Sequence, residues 1–376
     1  MNRTVTEMSE RTDVFVIGGG PAGLGAAIAA RQLGLSVIVA DGSEPPIDKP
    51  CGEGLLPETQ EALAELNVEI PSGMGFRLRG IRFVDEARQA CAEFPRGKAI
   101  GIRRTELHEL LIERARESGV KLLWKAPVMG IGRGGVRVGE RTVAARWIVG
   151  ADGRGSRVRR WSGLGGRMKG RTRFASRRHY RVKPWSEYTE IYWGRNAQAY
   201  VTPISAEEIC VVLLAAQPNE AKFEESWAQW PVLERRLGKA EVASRERGAA
   251  TSTHSLSKVF CRNVALVGDA SGSVDAITGE GLRLAFRQGL ALAVAMKCGD
   301  LAQYQREHRS LMRRPRWMGK ALLLMGQNAT VQRRAIRALA TKPELFEQLL
   351  AIHVGEHTTA KMLGTGARLG WGLLAT

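Results

Sequence analysis

The segment that decides the fold is Asp13-Val-Phe-Val-Ile-Gly-Gly-Gly-Pro-Ala-Gly23, close to the start of the chain. An apolar run leads into Gly18-x-Gly20-x-x-Gly23, and an alanine-rich stretch of strong helix formers follows. The first glycine allows a tight turn, the second lets a pyrophosphate approach the backbone, and the third lets the helix pack on the strand. The pattern therefore predicts a βαβ unit whose helix N-terminus binds a diphosphate.

An acidic residue follows one strand later, in Val37-Ile-Val-Ala-Asp41. Asp41 lies 23 positions after Gly18, near the roughly 20-residue spacing at which a carboxylate hydrogen-bonds a ribose hydroxyl. A chain with 43 glycines contains chance triplets, so an ordinary α/β turn is the alternative interpretation. Because strand, turn, helix and acid stand in the required order, we favour an adenine dinucleotide.

The composition is typical of a large globular enzyme. The chain has 376 residues, 44% hydrophobic and 25% charged, which suits one large domain or two interleaved domains. The first dozen residues are polar, and no stretch approaches 18 uncharged apolar residues, so we expect neither secretion nor a membrane span. Five scattered cysteines without a Cys-x-x-Cys pair favour free thiols and argue against a zinc ribbon. We therefore expect a cytoplasmic protein without a metal.

The net charge of +18 and the pI near 10.2 predict anionic partners. Basic residues are concentrated in 153–183, which contains no Asp or Glu, and in 306–337. Neither stretch contains a nucleic-acid module or regularly spaced aromatics for base stacking, so we expect no nucleic acid. An anionic cofactor, an acidic substrate or a membrane surface is favoured instead.

The rest of the chain mixes parallel and antiparallel patterns. A helix is predicted over 58–66, and an amphipathic helix over 105–118 with Thr105 as its N-cap. The predicted strands are 120–124, 136–138, 146–150, 172–182, 188–193, 199–203, 209–215 and 264–267. The glycine-rich run from Gly130 to Gly135 is predicted to be a turn, and the chain from Gly279 onward is predicted to be helical.

Two further motifs lie far from the first. Val149-Gly-Ala-Asp152-Gly153-Arg-Gly-Ser156 follows an apolar strand, and Gly268-Asp269-Ala-Ser-Gly272 follows another. With the glycine turn and Asp41, where most relatives have Glu, they give residues 13–300 a resemblance to the FAD-dependent oxidoreductases that include aromatic hydroxylases, geranylgeranyl reductases and flavin-dependent halogenases. The resemblance implies that Asp152-Gly153 helps to hold FAD and that Asp269 hydrogen-bonds the flavin ribose.

Arg104 extends this resemblance. In Arg-Thr-Glu-Leu107 it matches the family's Arg-x-x-Leu helix start, whose arginine lies near the FAD diphosphate, although adjacent Arg103 is an alternative. A solvated basic helix start is the other interpretation. Because a cation is unfavourable at a helix N-terminus unless an anion compensates it, we favour phosphate contact.

The resemblance implies an α/β fold with a Rossmann-type, doubly wound FAD-binding domain, an interleaved β-rich substrate domain and a C-terminal helical segment. The FAD-binding domain is expected in three parts, and the substrate domain in two. The predicted order is 1–75 (FAD-binding), 76–103 (substrate-domain strands), 104–165 (FAD-binding), 166–255 (β-rich substrate domain), 256–300 (FAD-binding) and 301–376 (helical).

Two loops favour the reductase branch of these enzymes. Thr278-Gly279-Glu280-Gly281-Leu282 resembles the Thr-Gly-Glu-Gly of geranylgeranyl reductases, and Pro50-Cys51-Gly52-Glu53-Gly54 resembles their Cys-Gly-rich loop. Gly279 and Gly281 would bring backbone N–H groups and a helix dipole to the flavin ring. Cys51, Glu53 and Glu280 are candidate proton donors, although a packed loop residue is an equal interpretation of Cys51.

The substrate sheet departs from that branch. Ala199-Tyr200-Val-Thr202-Pro203-Ile204 stands where archaeal reductases have Tyr-x-Trp-x-Phe-Pro, so the tunnel-framing Trp is missing. Tyr200 of this segment is a further catalytic candidate. The halogenases' Trp-x-Trp-x-Ile-Pro element and catalytic Lys are absent as well. These departures disfavour halogenation and leave the lipid substrate open.

We expect an FAD-dependent oxidoreductase that acts on a hydrophobic small molecule, most simply by reducing a double bond. The alternative is a monooxygenase that uses NAD(P)H and oxygen through a flavin C4a-hydroperoxide, and the non-enzyme alternative is a basic lipid or nucleotide carrier. No second glycine motif stands in a βαβ context. We therefore expect NAD(P)H to bind in a cleft, or an external protein to supply the electrons.

The C-terminal part carries two competing patterns. His353-Val-Gly-Glu356-His357 matches the His-x-x-Glu-His of inverted zinc peptidases, but the internal glycine and the lack of a third ligand favour surface histidines. The basic, amphipathic helices of 301–376 fit peripheral contact with an anionic membrane. Packing of their apolar face on the substrate domain is the favoured alternative.

Overall fold

The computed structural model describes residues 10–85, 87–132, 134–165 and 172–356. Its strands in chain order are β1 (Arg11–Ile17), β2 (Val37–Ala40), β3 (Gly54–Leu55), β4 (Phe76–Leu78), β5 (Gly80–Val84), β6 (Gln89–Glu93), β7 (Ala99–Gly101), β8 (Lys121–Leu123), β9 (Val128–Gly132), β10 (Gly135–Val138), β11 (Arg141–Gly150), β12 (Thr172–Arg181), β13 (Tyr188–Trp193), β14 (Ala197–Pro203), β15 (Glu208–Ala215), β16 (Glu241–Val242), β17 (Arg247–Ser252), β18 (His254–Ser255), β19 (Phe260–Cys261), β20 (Val264–Leu266) and β21 (Gly272–Ser273).

The α-helices of the described ranges are α1 (Pro21–Gln32), α2 (Pro57–Glu65), α3 (Arg104–Glu117), α4 (Arg157–Trp161), α5 (Phe223–Ser226), α6 (Pro231–Leu237), α7 (Gly281–Cys298), α8 (Leu301–Gly326), α9 (Ala329–Thr341) and α10 (Pro343–His353). Short 3₁₀ turns precede or follow several of them, at Asn219–Ala221, Trp227–Gln229, Gly268–Ala270 and Ala276–Thr278. None of these helices has the length and apolar character needed to cross a bilayer.

The first sheet carries the glycine-rich turn. Its order is β19-β20-β11-β1-β2-β8, with β10 and β9 added beside β11. The pairs β20–β11, β11–β1, β1–β2 and β2–β8 are parallel. Because α1, α3 and α7 pack on one face, and β9, β10 and α4 pack on the other, β1 is apolar at successive positions from Val14 to Ile17. The predicted doubly wound fold is confirmed.

The second sheet has the order β16-β12-β15-β14-β13-β5-β6, with β17 beside β12. It is antiparallel except for the pair β13–β5. One face packs on α5 and α6 through Phe223 and Leu233. The other face packs on α9 and α10, where the rings of Phe83 and Phe346 are in contact with their centroids 4.7 Å apart. The C-terminal helices therefore cover the substrate sheet, as the favoured alternative predicted.

Two local predictions can be compared directly with the structure. The predicted Thr105 N-cap is wrong, because α3 begins at Arg104 and Thr105 lies inside the first turn. The N–H of Arg104 instead donates to Oε1 of Glu53 at 3.0 Å, so a carboxylate from a distant loop satisfies the helix end. The turn predicted over the glycine-rich run at 130–135 is wrong for most of its length, because Gly130 and Gly132 belong to β9 and Gly135 begins β10, and the two strands pair antiparallel.

Candidate active site

A cavity of about 1050 Å³ lies between the carboxyl ends of the first sheet, the second sheet and the C-terminal helices. Its two ends differ in chemistry. The polar end is lined by glycines and charged groups, among them Gly20, Lys49, Arg104, Gly153 and Asp269. The other end is lined by apolar side chains of the second sheet and of α8 to α10, among them Phe83, Leu214, Leu322, Leu339 and Phe346.

The glycine-rich turn forms one wall of the polar end. A Cβ on Gly18, which has φ +112°, would lie 2.4 Å from the carbonyl oxygen of Ala151, and a Cβ on Gly23 would lie 1.8 Å from that of Gly18. A Cβ on Gly20, by contrast, would meet no atom within 4 Å, and Gly20 lines the cavity. The turn and the helix contact therefore need the outer glycines, while the middle one leaves the helix N-terminus open to a ligand.

Asp41 reaches this turn from the end of β2. Its Oδ2 accepts from the N–H of Gly19 at 2.7 Å, and its Oδ1 accepts from the N–H of Ser43 at 2.7 Å. The carboxylate thus holds the turn from behind and retains further lone pairs for the predicted ribose contact. His108, which sequence reasoning did not single out, accepts from the N–H of Ile47 through Nδ1 at 3.2 Å, so its Nε2 donates to the carbonyl of Gly19 at 2.7 Å.

The second motif places its two residues differently. Oδ2 of Asp152 accepts from the N–H groups of Arg157 and Val158 at 2.7 and 3.1 Å, at the start of α4. Its Oδ1 is buried and has no hydrogen-bond partner among the described residues. Gly153 lines the cavity with φ +75°. The aspartate therefore shapes the turn, and the glycine keeps the cavity open beside it.

The third motif follows β20. Gly268 has φ +59°, and its N–H donates to Oε1 of Gln288 at 2.7 Å. Asp269 lines the cavity and remains accessible to a ligand there. Desolvation by the walls of the cleft raises its pKa, although His254 and Lys49 oppose that rise. The position suits a carboxylate that accepts hydrogen bonds from a ligand hydroxyl.

The structure distinguishes the two arginines at the start of α3. Arg103 forms a two-pronged ion pair with Glu208, with a shortest N–O distance of 2.8 Å. Arg104 lines the cavity, and its buried Nε has no hydrogen-bond partner within the described ranges. A buried guanidinium donor without a partner fits a phosphate oxygen. Arg104 is therefore the better placed of the two for a diphosphate.

These observations fit an FAD cofactor: Gly20 and Arg104 would hold its diphosphate, and Asp269 would accept a hydrogen bond from a hydroxyl of the flavin side. Residues 11–299 match the protein family described as FAD binding domain. The chain belongs to this family. It is an FAD-dependent oxidoreductase, and the alternative of a carrier without FAD is not supported.

Several known proteins are similar to this flavoprotein. The menaquinone reductase of Mycolicibacterium smegmatis is 25% identical over 345 residues, covering 79% of each chain. The digeranylgeranylglycerophospholipid reductase of Thermoplasma acidophilum is 27% identical over 315 residues, covering 77% of this chain and 78% of the relative. A flavoprotein/dehydrogenase from Cytophaga hutchinsonii superimposes with a TM-score of 0.82 at 20% identity, over 96% of this chain and 100% of that one. The last comparison supports the fold.

Glu53 lines the cavity, but its carboxylate is engaged by protein groups. Oε1 accepts from the Arg104 N–H and from Nη1 of Arg177 at 3.2 Å, and Oε2 lies 2.6 Å from Nε2 of His179. The Cys210 thiol completes a metal-type donor set within 4.8 Å, yet the Arg177 guanidinium contacts both Glu53 and His179 and opposes a cation there. The arrangement works as a clamp between the 48–53 loop, α3 and β12.

Cys51 lies beside this clamp and lines the cavity. The Glu53 N–H donates to its Sγ at 3.4 Å, and the Cys210 thiol donates to its carbonyl oxygen at 3.6 Å. Burial raises the pKa of Cys210 well above its ordinary value. The loop therefore presents the Cys51 side chain to the cavity from a rigid base.

The Thr-Gly-Glu-Gly turn divides its residues between cavity and protein. Gly279, with φ +66°, and Gly281 line the cavity, and a Cβ on either would meet no atom within 4 Å. Glu280 is fully buried and is absent from the residues that line the cavity. Its Oε2 accepts from Nε of Arg283 at 2.6 Å and lies 3.7 Å from Arg314. Its carboxylate thus anchors the turn from the protein side.

His353 is the main residue that sequence reasoning misplaced. The expectation of a surface histidine is wrong, because His353 is 7% exposed and lines the cavity. Its Nδ1 lies 3.5 Å from Oε1 of Glu280, and burial lowers its pKa. No local pattern indicated this position, because His353 is the last residue of α10 and Glu280 belongs to a distant turn. His357, the other histidine of the zinc-peptidase pattern, lies outside the described residues.

Tyr200 lies between the two ends of the cavity. Its hydroxyl donates to the carbonyl of Ile277 at 3.4 Å, and burial raises its pKa. Arg173, two residues into β12, pairs with buried Asp275 at 3.0 Å and ties the second sheet to the same segment. Neither Arg173 nor Asp275 carries a sequence signal beyond its charge, because the pair forms only across the interface.

Proposed function

We propose that this FAD-dependent oxidoreductase reduces a carbon–carbon double bond in a lipophilic, chain-like substrate. The observation that carries the proposal is the continuity of one cavity from the glycine-lined polar end to the apolar end. A ligand in the apolar end is surrounded by aliphatic and aromatic side chains that exclude water. Both sequence relatives named above are reductases by name, which favours reduction over oxygen insertion.

The protein's own contribution begins at the start of α7. Gly279 and Gly281 leave the cavity open to the first N–H groups of an 18-residue helix. Those groups and the helix dipole favour negative charge at that point. Bound FAD, when reduced by NAD(P)H or another donor, supplies the hydride. Glu280 and Arg283 hold the turn from behind, so the N–H groups are oriented before the ligand arrives.

A proton must also reach the substrate. Glu53 is held by Arg177 and His179, and Glu280 faces the protein interior. Cys51 lines the cavity without an ion-pair partner in the described residues. We assign the Cys51 thiol as the proton donor to the substrate. Tyr200 orients the substrate in the cavity.

Anaerobic turnover tests the proposed reaction. The purified holoenzyme is reduced with NADPH or dithionite and mixed with menaquinone or a geranylgeranyl glycerophospholipid. The product masses are then measured by mass spectrometry. The expected product is heavier by two hydrogens and forms without oxygen. Cys51→Ala should slow its formation at least tenfold while flavin absorbance is retained. A product heavier by one oxygen atom, formed in air alone, would instead establish the monooxygenase alternative.

A further inference from the structure

Three exposed apolar side chains mark the outer end of the cavity. Trp317, Leu324 and Val331 are 40%, 65% and 38% exposed, and all three also line the cavity. Large hydrophobic side chains seldom remain in water next to an apolar pocket unless the surface has a partner. The cavity therefore opens to the outside through an apolar margin.

Helix geometry makes this margin continuous. Arg313, Trp317, Lys320 and Leu324 recur at intervals of four, three and four residues, so they share one face of α8, and all four are exposed. After two intervening residues, α9 begins at Ala329 and brings Val331 to the same opening. We call the three apolar residues, together with the exposed basic residues around them, the α8–α9 rim: Arg313, Trp317, Lys320, Leu324, Val331, Arg333 and Arg337.

The charge of the rim is of one sign. From His308 to Lys342 the sequence contains no Asp or Glu, and Arg313, Lys320, Arg333 and Arg337 are exposed. Apolar and aromatic side chains interspersed with cations are the pattern of a surface that lies in the headgroup region of an anionic bilayer. A twofold contact between two copies would place these cations opposite one another without an acid between them.

We propose that the α8–α9 rim docks on anionic membrane and inserts Trp317, Leu324 and Val331 among the lipid chains. The docked cavity then opens directly into the bilayer. Entry of a lipid substrate by this route rests on the proposed function, whereas docking itself does not.

Vesicle flotation of the full-length holoenzyme tests the docking. Wild-type protein should float with vesicles of phosphatidylglycerol and phosphatidylcholine, and at least tenfold less with phosphatidylcholine alone. Leu324→Glu and Lys320→Glu should each weaken binding at least tenfold. Val242→Glu is the matched control, since Val242 is 50% exposed on β16, away from the cavity lining. Flavin absorbance and the melting temperature check that each variant is folded.

Several outcomes would overturn the proposal. They are failure of the wild type to float at low salt, equal binding by Leu324→Glu, and equal loss of binding in Val242→Glu. A concentration-dependent dimer in light scattering that Leu324→Glu abolishes would assign the rim to a second copy of the chain instead. Because flotation requires no turnover, its failure would leave the proposed reduction untouched.

Discussion

At the scale of single residues, the glycines of the first motif divide into two kinds. Gly18 and Gly23 have no room for a side chain, because the backbone of the turn and of Ala151 lies where a Cβ would stand. Gly20 has room, and the space belongs to the cavity. Substitution therefore separates folding from cofactor binding.

Gly20→Val should fold but lose FAD. The added side chain enters the cavity, so we expect apoprotein with an unfolding free energy within about 1 kcal/mol of wild-type apoprotein and no flavin absorbance. Gly23→Val is the comparison, since its Cβ would lie 1.8 Å from a carbonyl oxygen and should cost about 3 kcal/mol or more. Stoichiometric FAD in Gly20→Val would contradict the placement of the diphosphate.

We expect the Glu53 carboxylate to contribute to the stability of the fold rather than to the chemical step. Removing its carboxylate leaves Arg177, whose side chain is 2% exposed, without one of its two acidic partners. We expect Glu53→Ala to lower the unfolding free energy by about 3 kcal/mol in urea titrations. Glu241→Ala, which breaks an exposed pair with Arg181, should cost less than about 1 kcal/mol. A Glu53→Gln variant of unchanged stability and no turnover would identify an acid catalyst instead.

At the scale of elements, α8 has two functions along its length. Its first half packs on α7 and on the turn that carries Asp269, where Nε2 of His308 lies 2.9 Å from Oγ of Ser271. Its second half borders the cavity and ends in the α8–α9 rim. Because His308 contacts Ser271, protonation of the His308 ring should disturb the turn at 268–271.

His308 should make stability fall in acid. Burial lowers its pKa from 6.5 to about 4, so the native ring is neutral while the unfolded ring takes up a proton below its ordinary pKa. The native state is therefore not penalised above pH 6.5. Below pH 6.5 the unfolded ring binds a proton that the native ring does not, so the free energy of unfolding falls as the pH falls toward 4. From pH 7 to pH 5 the expected loss of unfolding free energy is about 2 kcal/mol.

Chemical denaturation at several pH values measures this loss. In His308→Gln, which keeps a polar group beside Ser271 but cannot titrate, the dependence between pH 7 and 5 should shrink by that amount. His108, His254 and His353, whose pKa values burial also lowers, contribute to the remaining dependence with the same sign. An unchanged dependence on pH in His308→Gln would contradict this, because it would show that the ring takes up its proton at the same pH in the native and unfolded states.

At the scale of the whole molecule, one cavity brings together segments that are distant in sequence. Gly20, Gly153, Asp269 and Gly279 all face one cavity, although each follows a different strand or turn. The basic stretch at 153–183 also finds its partners inside the protein, since Arg173 pairs with Asp275 and Arg177 with Asp48 and Glu53. Arg173 and Arg177 therefore use their positive charge to join β12 to the loops that carry Asp48, Glu53 and Asp275.

FAD should therefore stabilise the chain as one unit. At a free FAD concentration one hundred times its Kd, we expect the unfolding free energy to rise by about 2.7 kcal/mol over the apoprotein. Thermal scans that follow flavin fluorescence and far-ultraviolet circular dichroism should give coincident transitions. Unfolding of the second sheet without release of FAD would contradict this coupling.

The sequence by itself determined the FAD-binding fold. Its signals are local: apolar runs, glycine spacings and an acid at the end of a strand, each of which follows from backbone sterics and hydrogen bonding within a few residues. The tertiary structure decided which way the carboxylates and His353 face. Glu53 and Glu280 turn toward arginines supplied by β12, α7 and α8, and His353 reaches the cavity because α10 packs on the second sheet. Such orientations depend on burial and charge pairing between distant segments, which local sequence patterns do not encode.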